Sequence, residues 1–89
     1  MNFEWDENKN ASNYKKHGIS FEEAKEAFKD ENRKEYKDNR KDYGEIRYIL
    51  IGAILKGIVT IAYTIRGFSY RIISARPAKR KERNKYNNL

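Results

Sequence analysis

The sequence contains no cysteine and only one histidine, His17, among its 89 residues. Disulfide bonds and thiolate metal sites are therefore excluded, and so is a metal site built from several histidines. No apolar run approaches the roughly 20 residues that a membrane-spanning helix needs. The first residues also lack the basic and apolar regions of a signal peptide. We therefore expect a cytoplasmic protein that binds no metal, no cofactor and no membrane.

Acidic residues are almost missing from the second half of the chain. Residues 46–89 carry 10 Lys and Arg against one acid, Glu82, whereas residues 1–45 carry 10 Lys and Arg against 12 Asp and Glu. Net charges of +9 and −2 result, and such asymmetry is typical of a surface that binds phosphates. A basic tail that only keeps the protein soluble is the alternative. It is disfavoured because Arg66, Arg71 and Arg76 fall in predicted strands.

Apolar residues are also few: they make up 38% of the chain, and charged residues make up 37%. A chain of this length and composition forms one small domain, residues 1–89, with a thin core. We therefore expect the isolated protein to be less stable than its complex with a partner that binds only the folded state.

Two helices are predicted in the first third of the chain. Asp6 suits the N-cap of a helix from Glu7 to His17, with Ala11 and Tyr14 on a poor apolar face, and Gly18 suits its left-handed end. Ser20-Phe21-Glu22-Glu23 is a capping box that predicts a second helix to about Lys29. Its buried stripe comprises Phe21, Ala24, Ala27 and Phe28. The place of His17 in a last helical turn favours a role at the helix dipole over a catalytic one.

Alternating apolar residues predict a strand at Phe3–Trp5 and an antiparallel meander of Glu45–Ile54, Ile58–Arg66 and Ser69–Arg76. Arg33–Tyr36 suits an edge strand, because its charged side chains discourage pairing with other molecules. A helix from about Ala78 to Asn87 follows, with Pro77 suited to its first turn. The fold class is therefore α+β: a small domain with an antiparallel sheet of three to five strands, two N-terminal helices and a C-terminal helix.

The two faces of the strand Ile58–Arg66 differ in character. The alternating residues Val59, Ile61, Tyr63 and Ile65 are expected to pack beneath the helices. The other set is small and hydroxylic, ends in arginine, and is expected to face a cleft or a partner: Thr60, Ala62, Thr64 and Arg66.

The chemistry that the residues favour is cleavage of RNA without a metal. The chain has no P-loop, no paired-histidine metal helix and no GxSxG motif. An RNA 2′-hydroxyl can attack its own phosphate if guanidinium groups neutralise the developing charge and a side chain moves the proton. Arg66, Arg71, Arg76 and Arg80 suit the first role, and Glu82 and Tyr86, four residues apart on one helix face, suit the second. Further RNA contacts are expected from Lys16, His17, Lys79, Arg80, Lys81 and Arg83.

Each of these residues also has a purely structural interpretation. Glu82 could simply reduce repulsion within a basic helix, and this is as good an interpretation as catalysis. Tyr86 suits a packing role with a solvated hydroxyl. Arg71 could support strand pairing, and Arg66 could be an ordinary exposed arginine beside a turn.

Two blocks of the sequence resemble the BrnT toxins. The first comprises Phe3-Glu4-Trp5-Asp6, Lys9, Asn13 and the run Lys16–Ala24. The second comprises Arg71–Arg76, Ala78, Glu82-Arg83 and Tyr86. Only the segment from about Asp30 to Tyr43 shows no similarity to the family.

The resemblance implies a RelE-like fold and a ribonuclease that arrests growth by cutting RNA and blocking translation. It also implies a BrnA-type ribbon-helix-helix antitoxin, in a complex that represses its own operon by binding operator DNA through the antitoxin. Arg66 and the pair Arg71/Arg76 would be catalytic, with Glu82 and Tyr86 close by. One departure is Lys79, where relatives often have a capping Thr or Ser. Either Glu82 is then freer to point at a substrate, or the helix starts less firmly.

Two other functions are compatible with the same residues. One is a non-catalytic module that binds nucleic acid or an antitoxin, with steep salt dependence and no turnover. The other is a structural protein whose exposed arginines bind an acidic partner.

Overall fold

The computed structural model describes residues 2–88, which form a five-stranded sheet with helices on both of its faces. In chain order the elements are β1 (Asn2–Glu4), α1 (Glu7–His17), α2 (Phe21–Ala24), a 3-10 helix (Lys25–Lys29), β2 (Lys34–Lys37), β3 (Tyr48–Ile54), β4 (Gly57–Arg66), β5 (Ser69–Pro77) and α3 (Arg80–Asn87). No helix within residues 2–88 is long and apolar enough to cross a membrane.

The strand order across the sheet is β1-β5-β4-β3-β2. Strands β2 to β5 pair antiparallel, as predicted, whereas β1 pairs parallel to β5 and makes the sheet mixed. The pairing of β4 with β5 shifts by one residue at Ala62/Tyr63, where Ile73 forms a bulge. The α+β class is confirmed, with five strands and helices at both ends of the chain, but the sheet is mixed where a purely antiparallel one was predicted.

The main core lies on the face covered by α1, α2 and the 3-10 helix. Phe21 is fully buried there, and Phe28 packs edge-on against Phe3 and Tyr63. Gly52 is needed opposite the 3-10 helix, because a Cβ there would lie 3.0 Å from the carbonyl oxygen of Ala27. The predicted stripe is confirmed, since all four of its members are buried: Phe21, Ala24, Ala27 and Phe28.

The helix caps follow the sequence closely. The Asp6 carboxylate accepts from the amides of Asn8 and Lys9, and Gly18 ends α1 with φ at 71°. Ser20 and Glu23 form the predicted reciprocal capping box. The residue of α1 that is buried was not predicted: it is Asn13, whereas Tyr14 is exposed.

Several predicted boundaries are wrong by a few residues. Strand β3 begins at Tyr48 rather than Glu45, because residues up to Arg47 belong to a polar loop. The second helix is α-helical only to Ala24 and then tightens to 3-10 geometry. Pro77 ends β5 instead of starting α3, which begins at Arg80 with Lys79 as its N-cap.

The second face of the sheet is partly covered by α3. Ile49, Ile51 and Thr60 are buried on this face, outside the main core cluster. The expectation that the Thr60 and Thr64 face opens to a cleft is therefore wrong at these two residues, each of which is 4% exposed. Thr64 donates its hydroxyl to the carbonyl of Ile46 at 2.6 Å. Ile65, one of the alternating residues of β4 that were expected to pack beneath the helices, is exposed instead.

Candidate functional site

An open groove of about 370 Å³ lies beside α3 on this second face. Its walls come from β2 and the segment after it, from β3 and β5, and from α3. The lining residues are Tyr36, Lys37, Asp38, Asn39, Arg40, Ile49, Arg76 and Glu82. A larger hollow of about 510 Å³ lies within the neighbouring loop, but neither Arg76 nor Glu82 lines it. The groove that contains them is therefore the candidate site.

Arg76 and Glu82 form a bidentate ion pair at the centre of this groove. Nη1 and Nη2 of Arg76 donate to the two Glu82 carboxylate oxygens at 2.7 and 2.8 Å. The hydrogen bonds from Arg76 outweigh partial burial and lower the pKa of Glu82 to about 2. The pKa of Arg76 is raised by the same contacts. The pair therefore places a fixed guanidinium and a fully ionised carboxylate side by side at neutral pH.

The start of α3 explains why Glu82 is held in place. Lys79 has no side-chain acceptor, so only half of a capping box forms, in which the Glu82 carboxylate accepts from the Lys79 amide at 2.8 Å. Of the two consequences expected from Lys79, a freer Glu82 is not seen, because Arg76 and the Lys79 amide both bind its carboxylate.

A polar cluster after β2 forms the rim of the groove. The Asp38 carboxylate is buried and accepts two hydrogen bonds from the Arg40 guanidinium at 2.9 Å, one from the Arg40 amide at 3.1 Å and one from the Tyr43 hydroxyl at 3.1 Å. These bonds, led by those from Arg40, hold the pKa of Asp38 far below its usual range. Arg47 stacks on the Tyr43 ring, 4.0 Å from its centroid. The loop is thus ordered by charge instead of apolar packing, and it brings Arg40 to the groove.

Tyr86 fixes the far end of α3 to the sheet. Its hydroxyl donates to Oδ2 of Asp30 at 2.6 Å, and the same oxygen accepts from the Ala53 amide at 2.8 Å. The hydrogen bond to Asp30 raises the pKa of Tyr86. Beside it, Lys85 lies 4.2 Å from the centroid of the Tyr36 ring. Glu82 and Tyr86 share one face of α3 as predicted, but the hydroxyl of Tyr86 is engaged with Asp30.

The structure places Arg66 and Arg71 on the same face as Arg76 but farther along the strands. Arg71 lies opposite Thr64 and Arg76 opposite Thr60, a separation of four residues on β4, or about 13 Å at the usual strand rise.

The two arginines outside the groove each form an ion pair. Arg71 pairs with Glu4 at 2.8 Å, and Arg66 pairs with Glu45 at 3.4 Å. The predicted arginines thus form a row along one face, and only Arg76 lines the groove.

The remaining predicted residues lie in two places, at the start of α3 and at the end of α1. Lys79, Arg80 and Lys81 are exposed at the start of α3, and Arg83 donates back to the carbonyl of Ala78 at 2.7 Å. Lys16 and His17 lie elsewhere, in a shallow hollow at the end of α1 beside Ile73 and Ser74.

Sequence reasoning did not identify as site residues six of the eight that line the groove: Tyr36, Lys37, Asp38, Asn39, Arg40 and Ile49. All but Ile49 lie in the segment from about Asp30 to Tyr43, which shows no similarity to the family, and of these five only Tyr36 falls in a predicted strand. Alternating acids and arginines near an isolated tyrosine were the available clue, because such side chains can order a loop by ion pairing. Within residues 2–88, no three His, Asp or Glu side chains form a group that could hold a metal ion.

The fold and groove together define a small basic α+β protein with a cationic site suited to phosphates. The family model for the ribonuclease toxin BrnT of type II toxin–antitoxin systems matches residues 5–82. The chain therefore belongs to this family, which implies an RNA substrate and an antitoxin partner. No curated protein matches the chain.

Proposed function

We propose that this protein is an endoribonuclease toxin that cleaves RNA in its Arg76–Glu82 groove without a metal ion. Cleavage in the cytoplasm would block translation, and a BrnA-type ribbon-helix-helix antitoxin would neutralise the toxin. The observation that carries the proposal is the bidentate Arg76–Glu82 pair, which joins a guanidinium to the single acid of residues 46–89. Lys37 and Arg40 line the same groove.

Substrate binding begins with an exchange of partners at Arg76. A phosphate of the RNA accepts the two guanidinium hydrogen bonds that Glu82 accepts in the free protein, because phosphate oxygens suit the same planar donor geometry. Lys37 and Arg40 supply further positive charge at the groove. The protein itself thereby provides the cations that stabilise a phosphorane.

The released carboxylate is the base in this mechanism. The pKa of Glu82 is about 2 chiefly because of Arg76, so it rises when Arg76 turns to the phosphate and an anion comes close. A carboxylate with a higher pKa is a better proton acceptor. Glu82 takes the proton of the 2′-hydroxyl as the 2′-oxygen bonds to phosphorus. The bond to the 5′-oxygen breaks, and that oxygen takes a proton from water, which leaves a 2′,3′-cyclic phosphate and a 5′-hydroxyl.

The other predicted residues receive supporting roles in this proposal. Arg66 and Arg71 bind phosphates farther along the RNA, on the face they share with Arg76. The exposed cations Lys79, Arg80, Lys81 and Arg83 strengthen binding near α3. Lys16 and His17 bind only a longer RNA. Tyr86 anchors α3. Alternatively, its hydroxyl takes part directly in proton transfer, and substitution of Tyr86 distinguishes these two roles.

An antitoxin can inhibit such a site by covering it. A segment with carboxylates would compete for Arg76, Lys37 and Arg40 as the phosphates do, and it would also add to the stability of the folded toxin. A RelE-like ribonuclease fold, implied by the family resemblance, is compatible with the α+β sheet.

The decisive experiment incubates antitoxin-free protein with labelled RNA in excess EDTA. We expect cleavage by the wild type, its loss in Arg76→Ala, and a decrease of about 10²- to 10⁴-fold in Glu82→Gln. Glu26→Gln is the matched control, because Glu26 is exposed on the 3-10 helix and pairs only with Lys29. Cleavage that requires added Mg²⁺ would contradict the metal-independent part, and intact RNA under both conditions would contradict the activity.

A non-catalytic binding module is the second candidate function. It is favoured by the fact that Arg66, Arg71 and Arg76 each already have a carboxylate partner, as expected of arginines with a structural role. Tight, salt-sensitive RNA binding with no turnover by a folded sample would support this function over the first.

A further inference from the structure

Thr60 has an unusual environment for a hydroxyl group. It is 4% exposed, and its Oγ1 is the one buried side-chain polar atom within residues 2–88 that has no hydrogen-bond partner. A buried hydroxyl without a partner is unfavourable, and such groups are few in native proteins. Valine has the same shape and suits a strand equally well. No hydrogen bond in the free protein therefore explains why threonine, and not valine, occupies position 60.

The position of Thr60 directs that hydroxyl toward the candidate site. Thr60 lies on β4 directly opposite Arg76 on β5 and Ile51 on β3, on the face that α3 covers. Opposite residues on adjacent strands have Cβ atoms about 5 Å apart. The hydroxyl lies close enough to the Glu82 carboxylate to help lower its pKa, although it does not complete a hydrogen bond with it.

The partner exchange at Arg76 would give this donor an acceptor. Once a phosphate takes the guanidinium, the Glu82 carboxylate loses two hydrogen bonds but keeps the Lys79 amide. A donor beside it can then fix the carboxylate near the 2′-hydroxyl. Thr60 Oγ1 is such a donor: within residues 2–88 it is the one buried side-chain polar atom that has no partner in the unbound structure.

We infer that Thr60 is a positioning residue, whose hydroxyl binds the Glu82 carboxylate when RNA occupies Arg76 and holds it as the proton acceptor. This inference rests on the proposed ribonuclease function. The Thr60 hydroxyl would then find its hydrogen-bond acceptor in the substrate-bound state, and it would not contribute to the stability of the free fold.

Thr60→Val and Thr60→Ser test the inference by single-turnover cleavage across a range of pH. Thr60→Val removes an unpartnered polar atom without changing shape, so its melting temperature should equal or exceed that of the wild type. Its cleavage rate should fall about tenfold or more. Because a donor to the carboxylate is lost, the pKa of Glu82 rises in the complex and the acidic limb of the rate profile moves to higher pH. Thr60→Ser retains the donor and should keep the wild-type profile.

The other charged and titratable groups around Glu82 are the same in all three proteins. They are Arg76 of β5, Tyr36 and Lys37 of β2, Asp38 and Arg40 of the following segment, and Lys79 at the start of α3. A shift of the acidic limb in Thr60→Val alone therefore reports on the missing hydroxyl.

A second measurement does not depend on turnover. The carboxyl carbon of Glu82 is titrated by NMR in complex with a 2′-O-methyl oligoribonucleotide, which lacks the attacking hydroxyl. We expect a higher pKa for Glu82 in the Thr60→Val complex than in the wild-type complex. Equal pKa values and equal rate profiles, with wild-type cleavage intact, would overturn the inference alone. Absence of cleavage by the wild type would instead overturn the proposed function, and this inference with it.

Discussion

The side chain of Asn13 makes hydrogen bonds to the edge of β5 of the kind that a neighbouring strand would make. Strand β1 pairs with β5 only as far as Arg71, so it leaves the outer edge of β5 beyond that residue without a strand partner. The Asn13 amide nitrogen donates to the carbonyl of Ala75 at 2.7 Å, and its amide oxygen accepts from the Ala75 amide at 3.1 Å. It also donates to the carbonyl of Ile19 at 2.9 Å. Asn13 thereby joins α1, the start of α2 and β5.

We expect Asn13→Ala to destabilise the protein by about 2 to 4 kcal/mol, because it leaves several buried backbone groups without partners. Chemical denaturation monitored by circular dichroism measures the change. Asn8→Ala is the matched control, since Asn8 is exposed on the same helix and its loss should change stability by about 0.5 kcal/mol or less. Equal stabilities of the two variants would show that the Asn13 contacts contribute nothing.

Glu82 could be identified as a candidate site residue from the sequence, whereas the role of Asn13 could not. Glu82 stood out because it is the one acid among residues 46–89, and composition alone reveals that. Asn13 lies on a helix whose apolar pattern is weak, and its partner Ala75 is 62 residues away. Such a pairing depends on where β5 ends up relative to α1, which no local pattern encodes.

At the scale of elements, α3 is attached to the sheet almost entirely by polar contacts. None of its residues is fully buried. It is held by the Arg76–Glu82 pair at its start, by the Tyr86–Asp30 hydrogen bond near its end, and by Lys85 over the Tyr36 ring. The helix therefore carries a candidate site residue and depends on few, directional bonds for its position.

We expect Tyr86→Phe to loosen the end of α3 without abolishing cleavage. The substitution removes one hydrogen bond to a carboxylate, worth about 1 to 2 kcal/mol, while Asp30 keeps the amides of Asn32 and Ala53. Amide hydrogen exchange should become faster in residues 80–87 and stay unchanged in β4. Tyr14→Phe is the control, because the Tyr14 ring is exposed. Loss of cleavage with unchanged exchange would instead assign proton transfer to Tyr86.

The order of the elements could be predicted well, whereas the site could be predicted only in part. Caps and alternation are local signals, so α1, the Ser20 capping box, β4 and β5 were found from short stretches of sequence. The groove needs β2 and its following loop to meet α3. That loop is ordered by Asp38, Arg40 and Tyr43 through bonds whose strength depends on burial, and burial cannot be known before the chain is folded.

At the scale of the whole molecule, the two faces of the sheet differ in their charged residues. The face covered by α1 and α2 carries acids in the first turns of these helices, Glu7, Glu22 and Glu23, as well as lysines in the last turn of α1. The second face carries the row Arg66, Arg71 and Arg76, with the basic helix α3 beside it. The three arginines of this row are paired with carboxylates, so under the proposed function the exposed cations around them would be the first to contact RNA. The electrostatic attraction of this face should therefore depend mainly on those exposed cations.

The salt dependence of RNA binding tests whether RNA binds the face of the sheet that carries α3. With a 2′-O-methyl oligoribonucleotide as a probe that is not cleaved, log K should fall linearly with log salt, by about 0.7 per phosphate contact. Lys37→Ala should lower the magnitude of that slope by about 0.7, because Lys37 is exposed at the groove. Lys29→Ala is the matched control, since Lys29 is exposed on the 3-10 helix, on the opposite face of the sheet. Equal slopes for Lys37→Ala and the wild type, or a smaller slope for Lys29→Ala, would show that RNA does not enter the groove beside α3.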